Sequence, residues 1–98
     1  MSKYNFSLTL QAEQDIKDIW FHIARDNITA ADNVIESFEQ AFFKLTTNPN
    51  IGIIRKDLTD KSVRFWIVFS YYIIYTATNP LQILRVISSY RDITKQLH

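Results

Sequence analysis

Val63 to Tyr75 reads VRFWIVFSYYIIY, and how these thirteen residues are read decides the fold. One charge, Arg64, and one small polar residue, Ser70, interrupt a run of β-branched and aromatic side chains. A buried helix of this length would draw on Ala, Leu, Glu or Lys, and all four are missing, so the stretch predicts a tight β-hairpin. In the first arm Val63, Phe65, Ile67 and Phe69 alternate with Arg64, Trp66 and Val68. One side is therefore wholly apolar and is expected to face a core.

The chain upstream supplies a cover. Tyr4 to Leu10, YNFSLTL, alternates apolar and polar residues and predicts a short strand with one buried face. Thr9 offers an N-cap hydroxyl, and Glu13, Asp15 and Asp18 gather negative charge near the start of a helix that runs to about Arg25 to Asn27. Ala12, Ile16, Ile19, Trp20 and Ile23 form one apolar stripe on it, and the carboxylates read as its solvated face. Thr29 is expected to cap a second helix, with Asp32 in the Glu position of a capping box. Val34, Phe38, Ala41, Phe42 and Leu45 give that helix a matching stripe, and Asn48-Pro49 ends it. Two such helices joined by a few residues pack as an antiparallel pair on one sheet face.

Downstream of the second helix, a loop from Asn50 to Ser62 holds the only glycine, Gly52. After the hairpin, Ala77-Thr78-Asn79-Pro80 is turn chemistry, and Leu81 to Ser88 predicts a further strand with a nearly continuous apolar run. Tyr90 to His98 reads as a short helix or an extended tail. The expected order is β-α-α-β-β-β in one domain spanning residues 1–98.

Composition narrows the function classes. No cysteine is present, which removes disulfides and thiolate metal sites. The longest apolar run falls short of the ~20 residues that span a bilayer, so no membrane partner is expected and the cytoplasm is the default location. The net charge of +1 hides an asymmetry: residues 1–49 are acidic, and residues 50–98 carry Arg55, Lys56, Lys61, Arg64, Arg85, Arg91 and Lys95 against three aspartates. The basic half suits an acidic protein segment or a nucleic acid, although spread cations also simply solvate a sheet edge.

Candidates for chemistry are few. His22 sits one position off the apolar stripe, His98 is the last residue, and neither has a second ligand at metal-binding spacing, so no metal and no cofactor is expected. Arg64 and Arg85 lie within strands and Arg91 just after one. Their guanidinium groups must reach water, a carboxylate or a phosphate, and Asp57, Asp60 or Asp92 could pair with them inside the chain. Tyr71, Tyr72, Tyr75 and Tyr90 could stack on bases, but aromatic residues in the sheet of a chain this size are more often core.

Taken in order, YNFSLTLQAEQDIKDIWFHIA, IGIIRKDLTDKSVRFWIVFSYYIIY and LQILRVISSYRDI resemble the ParE toxins of the RelE/ParE toxin-antitoxin superfamily. The motifs R-x-D-L, V-R-F-W, Y-x-I-I-Y and I-L-R-V followed by R-D carry the likeness. It implies an α+β fold, a small antiparallel β-sheet packed against an N-terminal helical hairpin, with a possible short C-terminal helix. It also implies a bacterial, plasmid-stabilising type of toxin that blocks DNA gyrase by binding. The implied partners are gyrase, a ParD-like antitoxin in a hetero-oligomer, and operator DNA only through the toxin-antitoxin complex. The antitoxin is expected to offer a disordered acidic segment that folds as a helix on docking.

The superfamily's other branch, the RelE-like ribosome-dependent mRNA endoribonucleases, places several Lys or Arg on the central hairpin, around the scissile phosphate. Here Phe65-Trp66-Ile67 and Tyr72 occupy that region and only Arg64 is charged. Arg64, Trp66, Arg85, Arg91 and Asp92 are accordingly the expected target- or partner-binding residues, on an exposed basic surface. No catalytic residue is expected in that reading. The nuclease alternative would use Arg91 to hold phosphate and His98 or Tyr90 to move the proton; a third reading is a non-toxic fold member that only binds its antitoxin. Many ParE toxins read His-Gly-x-Arg-Asp after the last strand, whereas this chain has Ser88-Ser89-Tyr90-Arg91-Asp92 and lacks the glycine.

Overall fold

The computed structural model describes residues 5–91 and 93–97; Tyr4, Asp92 and His98 lie outside them. Strand β1 (Phe6–Leu8) leads into α1 (Leu10–Ala24) and α2 (Ile28–Thr47). β2 (Arg64–Val68), β3 (Tyr71–Thr76), β4 (Leu81–Ser88) and the short α3 (Ile93–Gln96) follow. The four strands form one sheet in the order β1-β4-β3-β2. β2, β3 and β4 are antiparallel neighbours, whereas β1 runs parallel to β4. Two successive hairpins make β4 run in the direction of β2, and the helical pair with its following loop returns the chain to the end at which β1 starts. Alternation of side chains cannot distinguish the two senses of an edge strand.

The helix signals hold with two changes. Thr9 caps α1, its hydroxyl accepting from Ala12 N–H at 3.0 Å. Asn27, not Thr29, caps α2, accepting from Ala30 N–H at 3.0 Å. Asn caps as well as Thr does, and the earlier position shortens the connection between the helices. Asp32 makes no capping box; it accepts the Trp20 indole N–H at 2.8 Å and so ties α2 to α1. Leu10, expected on the buried face of the first strand, instead opens α1 and is exposed.

The hairpin forms where the sequence places it, turning through Phe69 and Ser70, with Phe69 held at φ 55°. Its faces are divided differently from the expectation. Trp66 and Val68 on β2, and Tyr71, Ile73 and Tyr75 on β3, face the helices and pack with Phe38, Phe42 and Leu45. Val63 and Phe65 lie on the opposite face, in a second, smaller core with Ile74, Ile87, Ile93 and Leu97. Ile67 follows on that face by alternation but extends beyond its cover and is 54% exposed, and Phe69, in the turn, is 66% exposed. The single apolar side read from the first arm thus splits between a small core and an exposed tip.

A register shift between Ile74 and Tyr75 lets Ile83 and Val86 on β4 point to the same, helix-covered face while Leu84 and Ile87 serve the other. Coverage on both faces accounts for the nearly continuous apolar run of β4.

Candidate functional site

The outer side of β4 is closed by side chains as well as by a strand. β1 pairs only with Leu81 to Ile83. Beyond it, the Thr9 hydroxyl donates to the Leu84 carbonyl at 2.7 Å. Asp15 then reaches in from α1: its carboxylate accepts from Arg85 Nε and Nη2 at 2.7 and 3.0 Å and from the Val86 backbone N–H at 3.0 Å. Arg85 Nη1 also donates to the Gln96 carbonyl of α3 at 3.2 Å, so one guanidinium ties together α1, β4 and α3. The pair is largely shielded from water, and its hydrogen bonds to Asp15 hold the Arg85 pKa above its ordinary value. Asp15 therefore departs from the solvated helix face expected of it.

Past this pair lies an open cleft of about 560 Å3. The helical spacing of Asp18, His22 and Arg25 puts one side of α1 along it, and Tyr71, Ser88 and Arg91 close the far side. Arg25 and Arg91 are both exposed and make no ion pair among the described residues.

At the β2 edge the polar groups are mostly neutral. Ile53 exchanges two backbone hydrogen bonds with Phe65, both at 2.8 Å. The buried Tyr75 hydroxyl donates to the Pro49 carbonyl at 2.7 Å and accepts from Gly52 N–H at 2.9 Å. A Cβ on Gly52 would sit 2.5 Å from that oxygen, so only glycine lets the loop close on the ring. Burial raises the Tyr75 pKa, with the Gly52 N–H and the charge of Arg64 opposing. Arg64 Nη1 donates to the Gly52 and Asn50 carbonyls at 2.8 and 3.2 Å. Further along the loop, Arg55 grips Asp57 with two hydrogen bonds of 2.9 and 2.6 Å and donates to the Tyr72 hydroxyl at 3.2 Å. That grip raises the Arg55 pKa and lowers that of Asp57.

The expected binding residues are therefore not one surface. Arg85 and Arg91 share the β4 cleft, while Arg64 and Trp66 lie toward the other edge. Three of them depart from exposure. Arg85 is paired with Asp15, a partner outside the three aspartates expected, and Trp66 packs on the helix-side core with Lys44 Nζ 5.1 Å from its ring centre. Arg64 is half-buried and anchors a loop. Arg91 and Tyr90 are exposed; Asp92 and His98 are outside the described residues. Among the described residues no helix is long and apolar enough to cross a membrane.

Asp15 and Tyr75 are the structural keys that sequence reading passed over. The signal for Asp15 was present, since it lies three residues after Ala12 and four before Ile19, inside the apolar arc of α1.

A search of curated proteins returns no match. Among solved structures, the fold is similar to a chain described as the chromosomal ParDE TA system from P. aeruginosa, with a TM-score of 0.71 and 18% identity. The alignment covers 87% of this chain and 95% of that one. The sequence itself matches the profile of the ParE toxin of the type II toxin-antitoxin system, parDE, over residues 6–93. With nearly its whole length matched by that profile, the chain belongs to the ParE toxin family of type II toxin-antitoxin systems.

Proposed function

We propose that this toxin acts as one cytoplasmic domain that blocks DNA gyrase by binding, without a catalytic centre, and that a ParD-like antitoxin neutralises it. The observation that carries the reading is the state of the hairpin. Its one cation, Arg64, is engaged by the Gly52 and Asn50 carbonyls, and its tip presents Ile67 and Phe69 to solvent. RNA cleavage needs positive charge around the scissile phosphate, whereas an exposed apolar tip suits a protein target. Phe69 also occupies the left-handed region that bulky side chains rarely adopt, a cost that proteins concentrate at functional positions. Supercoiling by purified gyrase tests this. Micromolar toxin is expected to inhibit it or to trap a cleavage complex, and undisturbed supercoiling would overturn the reading.

The solved structure that the fold resembles is described as a ParDE system, which supports a ParD-like partner for this chain as well. An antitoxin that binds the folded toxin stabilises it by mass action, and operator DNA is reached only through that complex.

One observation favours the second branch: Arg91 stands exposed beside the exposed Tyr90 and makes no ion pair among the described residues. A ribosome-dependent nuclease would cut transcripts after induction and lose that activity in Arg91→Ala; intact transcripts would dismiss it.

A further inference from the structure

The backbone of β4 is incompletely used, and the pattern of what is left has a direction. Phe65 turns its N–H and C=O outward to Ile53, so along the alternating ladder Trp66 bonds Ile73 and Ile74 bonds Arg85. Val86 and Ser88 consequently turn their backbone groups away from β3. Asp15 takes the Val86 N–H at 3.0 Å, and the Ser88 carbonyl accepts the Arg91 N–H at 3.1 Å. The Val86 C=O and the Ser88 N–H keep no partner among the described residues, and both residues line the cleft between α1 and β4.

An acceptor on one residue and a donor two residues later, on the same edge, are what a parallel neighbour needs. One guest residue opposite Ile87 donates its N–H to Val86 and accepts from Ser88 through its C=O. β1 is already parallel to β4 over Leu81 to Ile83, so such a guest would continue the line that β1 leaves at Leu8. A free phosphate does not fit this pair, because the Val86 carbonyl offers no proton to an anion. The side chains around the edge specify charge. Among the described lining residues, Arg25 and Arg91, with His22 beside them, outweigh the one carboxylate not already paired with an arginine, Asp18, which accepts from Gln14. Arg91 follows the end of β4, so acidic guest side chains belong on the C-terminal side of the paired residue.

We propose that the cleft between α1 and β4 takes an extended acidic segment of a partner protein as an added strand parallel to β4, paired at Val86 and Ser88 and held by Arg25 and Arg91. The occupant's source rests on the antitoxin-binding reading above; the docking mode does not depend on gyrase, so the supercoiling assay and the experiment below fail separately.

The probe is a blocked peptide alternating valine with glutamate, compared with its valine-lysine counterpart, added to the full chain and followed by amide NMR and hydrogen exchange. The glutamate peptide should shift the Ser88 amide and slow its exchange, leave the Ile67 amide on the opposite edge unmoved, and bind better than the lysine peptide. Ser88→Pro removes a donor that the β3 ladder does not use and should abolish binding. Should that variant not fold, the charge-reversed pair Arg25→Glu with Arg91→Glu should weaken binding by about tenfold or more. Shifts centred on Ile67, equal binding of the two peptides, no binding, or undiminished affinity in the charge-reversed variant would each overturn the proposal.

Discussion

The two edges of the sheet are finished with different chemistry. At β4 a three-residue β1 runs out early, and a carboxylate from α1 closes the rest by accepting from Arg85 and Val86. At β2 a single backbone bridge from Ile53 and the hydroxyl of Tyr75 dock the loop, with Arg64 as an added tie. The charged finish leaves cations at its rim, Arg25 and Arg91; the mostly neutral one leaves an apolar tip, Ile67 and Phe69. One small sheet thus presents two unlike surfaces, one suited to acidic side chains and the other to apolar ones.

Breaking the β4 edge should cost the most. Asp15→Asn removes the counter-charge of a shielded guanidinium and is expected to lower unfolding free energy by roughly 3 kcal/mol in urea titrations. Replacing both partners, Asp15→Leu with Arg85→Met, should recover much of that loss, because an apolar pair carries no desolvation penalty. A loss in the double variant as large as in the single one would show that the ion pair is not what closes this edge.

The β2 edge should yield less. Tyr75→Phe strands the Gly52 N–H and should cost about 2 kcal/mol. Gly52→Ala drives a methyl into a ring with nowhere to move and should cost a similar ~2 kcal/mol. Combined, the two are expected to fall short of their sum, since removal of the hydroxyl relieves the nearest clash. Strict additivity would contradict the contact between the Tyr75 hydroxyl and the Gly52 backbone.

The pH dependence sharpens the contrast further. The phenol of Tyr75 is raised in the folded protein. Its contribution is therefore complete below its ordinary value of about 10 and is lost as pH rises through the higher folded value. Tyr75→Phe should flatten the alkaline limb of a stability-pH curve. Asp57 is lowered by Arg55, so its contribution is present above the ordinary Asp range and fades as pH falls through the folded value. That pair is solvent-exposed, and Asp57→Asn should produce the smallest effect, a slight change in the acid limb that disappears at high salt.

Much of this arrangement is legible in the sequence. The hairpin is written in the β-branched and aromatic run at Val63 to Tyr75, and both helices are written in their stripes. The assignment of faces is not, because a strand whose two sides are both apolar gives alternation nothing to report; the runs in β3 and β4 signalled two covers rather than one. Arg85 and Asp15 are seventy residues apart, and no local spacing announces their meeting. Local patterning marks elements; which arginine stays free for a partner depends on contacts across the chain, and the four expected binding residues that are described, Arg64, Trp66, Arg85 and Arg91, accordingly divide between two edges.

The sharpest test joins the hairpin tip to the target. In a gyrase supercoiling assay the unmodified toxin should inhibit, whereas Phe69→Glu, which alters a largely exposed side chain at the tip, should lose inhibition while keeping its melting temperature within a few degrees. Inhibition undiminished in Phe69→Glu, or a wild-type toxin that leaves gyrase untouched, would contradict the assignment of this surface to a protein target.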